Sequence, residues 1–124
     1  MIRILLDTNF LMLLHKKRLD IFSEIEQLFP EKHELVTLSS VIRELETLSA
    51  GVGDDSAAAK TALRLIESKR VGIIESEGPA DRSIEDYARR ENAVVCTNDR
   101  TLKRKLKARK VQTVSLQGED KLTT

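Results

Sequence analysis

Cysteine is almost missing from this chain, and the single residue present, Cys96, can form no internal disulfide. It sits within Ala93-Val94-Val95-Cys96, the setting of a buried strand thiol, and is too isolated for a cysteine metal site. Histidine is scarce as well. His15 and His33 are the only two, and neither lies near the acidic motifs described below, which argues against a histidine-bound zinc site. Aromatic residues make up 3% of the chain, so stacking on exposed rings is excluded as a major mode of base recognition. The longest apolar run, Phe10 to Leu14, is far too short to span a membrane. The N-terminus lacks the basic-then-apolar layout of a signal peptide, and the expectation is a cytoplasmic protein without membrane contact. Gly51-Val52-Gly53 lacks the lysine and serine of a phosphate-binding P-loop, which removes an NTPase from consideration.

What is present is a globular composition, 40% hydrophobic and 33% charged over 124 residues. That is enough for a core, too much apolar content for disorder, and too short a chain for two domains. Net charge is only +1, but its distribution is uneven. Seven of the eleven residues from Arg100 to Lys110 are basic, and no acid occurs from Arg100 to Gly118.

Short apolar segments alternate with helical periodicities along the chain. Strands are predicted at Arg3–Leu6, Glu34–Leu38, Val71–Ile74, Ala93–Cys96 and Val111–Leu116. Between them, Thr8 or Asn9 is expected to cap a helix through about His15, and a second helix runs from Asp20 to Phe29. Ser39 or Ser40 is expected to cap a third, with Val41, Ile42, Leu45 and Leu48 inward. Further helices follow at Ser56–Lys69, at about Asp81–Glu91, and after Asp99 with Leu102 and Leu106 inward. Gln117–Thr124 reads as a polar tail. Such alternation argues for an α/β fold with a parallel sheet covered on both faces.

Four carboxylates stand just after a strand or inside the first turns of a helix: Asp7, Glu44, Asp81 and Asp99. In an open parallel sheet the segments that follow strands meet at one rim, so acids scattered in sequence become neighbours in space. Carboxylates held together repel unless a divalent cation binds between them, as in a magnesium-dependent phosphodiesterase. Each acid also has a structural explanation. Asp81 and Asp99 precede helices, where aspartate is a preferred cap; Glu44 flanks the apolar stripe of its helix, where its head can reach the strand rim, with a surface glutamate as the alternative. Asp7 is harder to explain that way, because it closes a hydrophobic strand and a charge there needs a partner or an ion. On a helix beginning at Asp99, Arg100, Lys103, Arg104 and Lys107 lie along one side. They form a strip suited either to RNA phosphates or simply to water.

Asp7-Thr8-Asn9, Val41-Ile42-Arg43-Glu44-Leu45, Asp81-Arg82-Ser83-Ile84 and Thr97-Asn98-Asp99-Arg100 occur in the order and spacing of PIN-domain nucleases, which the chain resembles from about Met1 to Leu116. The likeness is nearest to the archaeal and eukaryotic branch that includes small-subunit ribosomal RNA processing nucleases. The toxins of VapBC toxin–antitoxin pairs share the fold and the acids. The resemblance implies a three-layer α/β/α sandwich around a five-stranded parallel sheet of order 3-2-1-4-5, over residues 1–116. It implies metal-dependent endoribonuclease activity, with Asp7, Glu44, Asp81 and Asp99 catalytic, and Asp7, Asp81 and Asp99 holding magnesium or manganese. Asn9 and Thr97 match polar positions beside the acids. RNA is the implied substrate; an antitoxin, a ribosome-assembly factor or a second copy of the chain is the implied protein partner. For pairing, the stretch Phe10-Leu11-Met12-Leu13-Leu14 and the helix bearing Phe22 and Phe29 are the candidate faces. One departure from the family pattern concerns the aspartate that many relatives carry shortly after the fourth acid. Here Thr101 and Leu102 follow Arg100, which implies that a second metal binds weakly or only with substrate. The competing reading is a non-catalytic RNA-binding or scaffold domain that keeps the fold, against which the complete set of acids argues.

Overall fold

The computed structural model describes residues 1–118 and 121–124. Among them, six strands form one sheet of order β3-β2-β1-β4-β5-β6. These are β1 (Ile2–Leu6), β2 (His33–Leu38), β3 (Gly72–Ile74), β4 (Val94–Cys96), β5 (Thr113–Gln117) and β6 (Lys121–Thr123). The first five run parallel, as expected, with Leu5 opposite Val36 on one side and Val95 on the other. Ile4, Leu5 and Leu6 have no exposed surface, which is why β1 reads as an unbroken apolar run rather than an alternating one.

The sixth strand departs from the expected polar tail. β6 pairs antiparallel with β5, Leu122 opposite Leu116, and Leu122 is only 4% exposed. Gly118 turns the chain at φ 71°, a conformation suited to glycine. One apolar residue in a polar octapeptide carries too little periodic signal to announce a strand.

Seven helices are present among the described residues: α1 (Thr8–Leu11), α2 (Leu13–Lys17), α3 (Ile21–Leu28), α4 (Ser39–Ser49), α5 (Asp54–Ser68), α6 (Ala80–Glu91) and α7 (Arg100–Ala108). The first expected helix is thus divided at Met12. Capping also differs from expectation. Asp7, not Thr8 or Asn9, caps α1, its carboxylate accepting the Thr8 N–H at 2.8 Å. α4 begins after Leu38 with no side-chain cap. Its two serines are engaged by the loop after β3. Ser39 Oγ accepts the Ser76 N–H at 2.8 Å, and the Ser40 and Ser76 hydroxyls meet at 2.7 Å. Arg43 closes the same junction by donating to the Ser76 carbonyl at 2.7 Å. A tertiary partner has taken the hydroxyls that local capping would have used.

α5 packs against α4 and α2. Ala58, Ala59 and Ala62 are fully buried there, and the small side chains allow close helix approach. Phe10, Leu11, Met12, Leu13, Phe22 and Phe29 are all buried in the core of one chain, so the segments considered for pairing are used internally. The exposed large hydrophobic residues among those described are Met1, Val52 and Ile73. No helix among the described residues is long and apolar enough to cross a membrane.

Candidate active site

β1 lies between β2 and β4, so the chain winds to one side of β1 in its first half and to the other in its second. That reversal opens a crevice at the carboxyl ends of the strands, where ligands bind in open α/β sheets. Each acid reaches it by a different route. Asp7 follows β1 directly, and Glu44 stands on α4 after β2. Asp81 is in the first turn of α6 after β3, and Asp99 precedes α7 after β4. All four line one cleft of about 320 Å³, with Thr8, Asn9, Met12, Lys16, Leu48 and Asp55 completing its walls. A larger depression of about 1270 Å³ lies at the opposite rim, around Ile2, Arg3, Glu34, Val94 and Gln112. Its charges are mixed, and the Arg3–Glu91 pair at 2.7 Å neutralises part of it.

Asp7 is the best-fixed acid. Its backbone N–H donates to the Cys96 carbonyl at 3.0 Å, joining the ends of the two central strands. One carboxylate oxygen accepts the Thr8 N–H, and the other accepts the Thr97 hydroxyl at 2.6 Å. Thr97 Oγ1 in turn accepts the Asp99 N–H at 3.1 Å, so one buried hydroxyl sets two of the acids. Asp7 is 4% exposed, and burial pushes its pKa from 3.8 up to about 6. The Thr97 and Thr8 hydrogen bonds pull it down in part, and the charges of Asp81 and Glu44 push it up again.

Asp99 is both cleft lining and helix cap, accepting the Leu102 N–H at 3.1 Å. Asp81 is not a cap, contrary to its structural explanation. Pro79 occupies the cap position, and Asp81 sits exposed in the first turn. Glu44 projects from the solvent side of α4 into the cleft wall. Among the described residues Asn9 makes no hydrogen bond to a carboxylate; its Oδ1 accepts the Asn98 N–H at 3.1 Å and steadies the turn between β4 and Asp99. Cys96 is fully buried, and burial pushes its thiol pKa up, so it supplies no nucleophile.

Two charged cleft residues gave no sequence signal as site members. Lys16, at the end of α2, pairs with Asp55 in the first turn of α5, and both line the cleft. Nearby, His15 Nε2 lies 3.1 Å from Asp54. Asp54 and Asp55 follow the glycines of Gly51-Val52-Gly53 in sequence; only the packing of α2 on α5 brings them here. Arg100, Lys103, Arg104 and Lys107 are all on α7, but none lines the cleft. Lys103 is half-buried and donates to Ser115 Oγ at 3.3 Å.

Five carboxylates against one ammonium make a strongly negative lining rich in carboxylate oxygens. Among the described residues, no three acidic, histidine or cysteine side chains are already drawn together tightly enough to enclose an ion. The donor chemistry nevertheless fits a hard divalent cation. The central carboxylate is buried without a cationic partner, and the Thr8 hydroxyl beside it is the sole buried side-chain polar atom lacking a hydrogen bond among the described residues.

Residues 4–119 match the family described as PIN like domain. The chain is 38% identical over 116 residues to Ribonuclease VapC9 of Archaeoglobus fulgidus, covering 93% of this chain and 82% of that protein. It is 36% identical over 110 residues to Ribonuclease VapC4 of Methanocaldococcus jannaschii, covering 86% and 83%. Among solved structures, the fold is similar to that of the PIN domain endonuclease Utp24, with a TM-score of 0.81 at 22% identity, over 97% of this chain and 88% of that one. With the acids gathered at the switch point of a sheet of this order, the chain belongs to the PIN-like domain family.

Proposed function

We propose that the cleft is the active site of a metal-dependent endoribonuclease that hydrolyses RNA phosphodiester bonds with water. The observation that carries this reading is the convergence of Asp7, Glu44, Asp81 and Asp99 from four chain segments onto one cleft around a buried, hydrogen-bonded carboxylate. The ribonuclease names of the two curated relatives support it.

Asp7, Asp81 and Asp99 would hold magnesium or manganese. Such an ion, when bound, lowers the pKa of water and neutralises charge on the phosphoryl oxygens. Asp7 provides a fixed anchor because Thr8 and Thr97 hold both of its oxygens. Asp99 is held by the start of α7, so its position is set by the helix. Among the described residues Glu44 has no such hydrogen bond, and it is exposed. It is therefore free to orient the attacking water and accept its proton as the oxygen bonds to phosphorus and the bond to the 3′-oxygen breaks. Solvent protonates the departing 3′-oxygen, and the products carry 5′-phosphate and 3′-hydroxyl ends.

An RNA-processing enzyme and the toxin of a toxin–antitoxin pair use the same chemistry. The toxin setting is favoured by the VapC names of the relatives, and its partner would be an antitoxin. Growth arrest on expression, relieved by the product of a neighbouring gene, is the outcome expected of a toxin.

Incubation of structured and single-stranded RNAs with purified protein in magnesium, manganese or EDTA tests the activity. Cutting with either metal, none in EDTA, and 5′-phosphate ends are expected. Salt-sensitive RNA binding without cutting in any metal would favour the non-catalytic domain instead.

A further inference from the structure

A second groove, of about 410 Å³, runs between α6 and α7 and shares Asp81 with the acidic cleft. Pro79, Arg82, Glu85, Leu102 and Lys105 form the rest of it. Its size is within the roughly 300–1,000 Å³ of ligand sites. Leu102, at the base, is almost fully buried and offers little exposed surface. Glu85 is neutralised by Arg109, 3.6 Å away. Arg82 and Lys105 are exposed, and among the described residues neither has a hydrogen bond or ion pair.

We propose that this groove binds the RNA strand next to the scissile phosphate, with Arg82 and Lys105 contacting successive backbone phosphates. The assignment rests on the ribonuclease reading of the acidic cleft. Continuity through Asp81 gives the strand a path out of the cleft. The groove sets two exposed cations, unpaired among the described residues, beside Glu85, which pairs with Arg109, and Asp81, which it shares with the acidic cleft. Neither cation belongs to the strip of Arg100, Lys103, Arg104 and Lys107; Lys105 points from another side of the same helix.

The test is fluorescence anisotropy with a labelled oligouridine 12-mer in EDTA, across a salt series. Wild type is compared with the Arg82→Ala/Lys105→Ala double variant. A charge-matched Lys60→Ala/Arg64→Ala double variant on α5 serves as control, since those side chains are also exposed and outside both grooves. Losing two phosphate contacts from a single strand should lower the log–log salt slope by about 1.4 and the affinity at 0.1 M salt by roughly 25-fold. The control should keep wild-type slope and affinity. Wild-type binding by the Arg82/Lys105 variant, or equal losses in both double variants, overturns the groove. If wild type still cuts the 12-mer with magnesium or manganese in that event, the ribonuclease reading stands without the groove. If wild type neither binds nor cuts, both fall together.

Discussion

Replacing Asp7 by asparagine should make the metal-free protein more stable at neutral pH, although it removes the residue proposed as the central metal ligand. A carboxylate whose pKa rises from 3.8 to about 6 on folding binds its proton more tightly in the folded chain. Its contribution is therefore complete below about pH 4 and is lost as pH rises through about 6. At pH 7.5 the cost of holding the ionised, buried group is about 3 kcal/mol. Asparagine removes that cost and keeps an oxygen for the Thr8 N–H. Its amide nitrogen would face Thr97 Oγ1, whose hydroxyl then loses its acceptor, at about 1 kcal/mol. The net gain is about 2 kcal/mol, or roughly 5–10 °C in Tm. Urea and thermal unfolding in EDTA at pH 4 and pH 7.5 measure it. The variant should be clearly more stable than wild type at pH 7.5 and no more stable at pH 4. Adding magnesium should raise the Tm of wild type and leave the variant unchanged. A variant less stable than wild type at pH 7.5, or the same loss of stability between pH 4 and 7 in both proteins, would refute the burial account of Asp7.

Thr97→Val removes the hydroxyl that holds Asp7 and accepts from Asp99. It should destabilise by about 1–3 kcal/mol and move the Asp7 titration to higher pH, followed by carboxyl-carbon NMR. At Asp99 the two roles separate: Asp99→Asn keeps the α7 cap and Asp99→Ala loses it. Both should lose cleavage, but only the alanine variant should unfold at lower urea, by about 1 kcal/mol. Leu122→Ala should cost about 2–3 kcal/mol because β6 belongs to the core sheet. A cost under about 0.5 kcal/mol would mean that a polar tail was the better description.

The parts of this molecule that were legible in the sequence are those where local pattern and global topology agree. An apolar run such as Ile4-Leu5-Leu6 can satisfy its burial only inside a sheet covered on both faces, and a buried aspartate closing it needs hydrogen-bond partners or an ion. Because parallel strands all end at one rim, the convergence of the acids follows from the alternation of strands and helices. What was hidden depended on contacts between distant segments. Ser39 and Ser40 have cap chemistry, yet Ser76 lies close enough to claim them. Lys16 and Asp55 enter the cleft only because α2 packs on α5. Arg82 and Lys105 are ordinary surface cations until α6 and α7 are set side by side. β6 was invisible because the pairing of Leu122 with Leu116, rather than periodicity, makes it a strand.

Single-turnover cleavage by wild type, Asp7→Asn, Asp81→Asn, Asp99→Asn and Glu44→Gln, purified in parallel and assayed in magnesium and in manganese, tests the central claim most directly. The account predicts that wild type cuts RNA to 5′-phosphate products, and that Asp7→Asn loses at least about 100-fold in rate while staying folded and still binding RNA. Equal cleavage by wild type and Asp7→Asn would contradict it, because the activity would then belong to something other than this cleft.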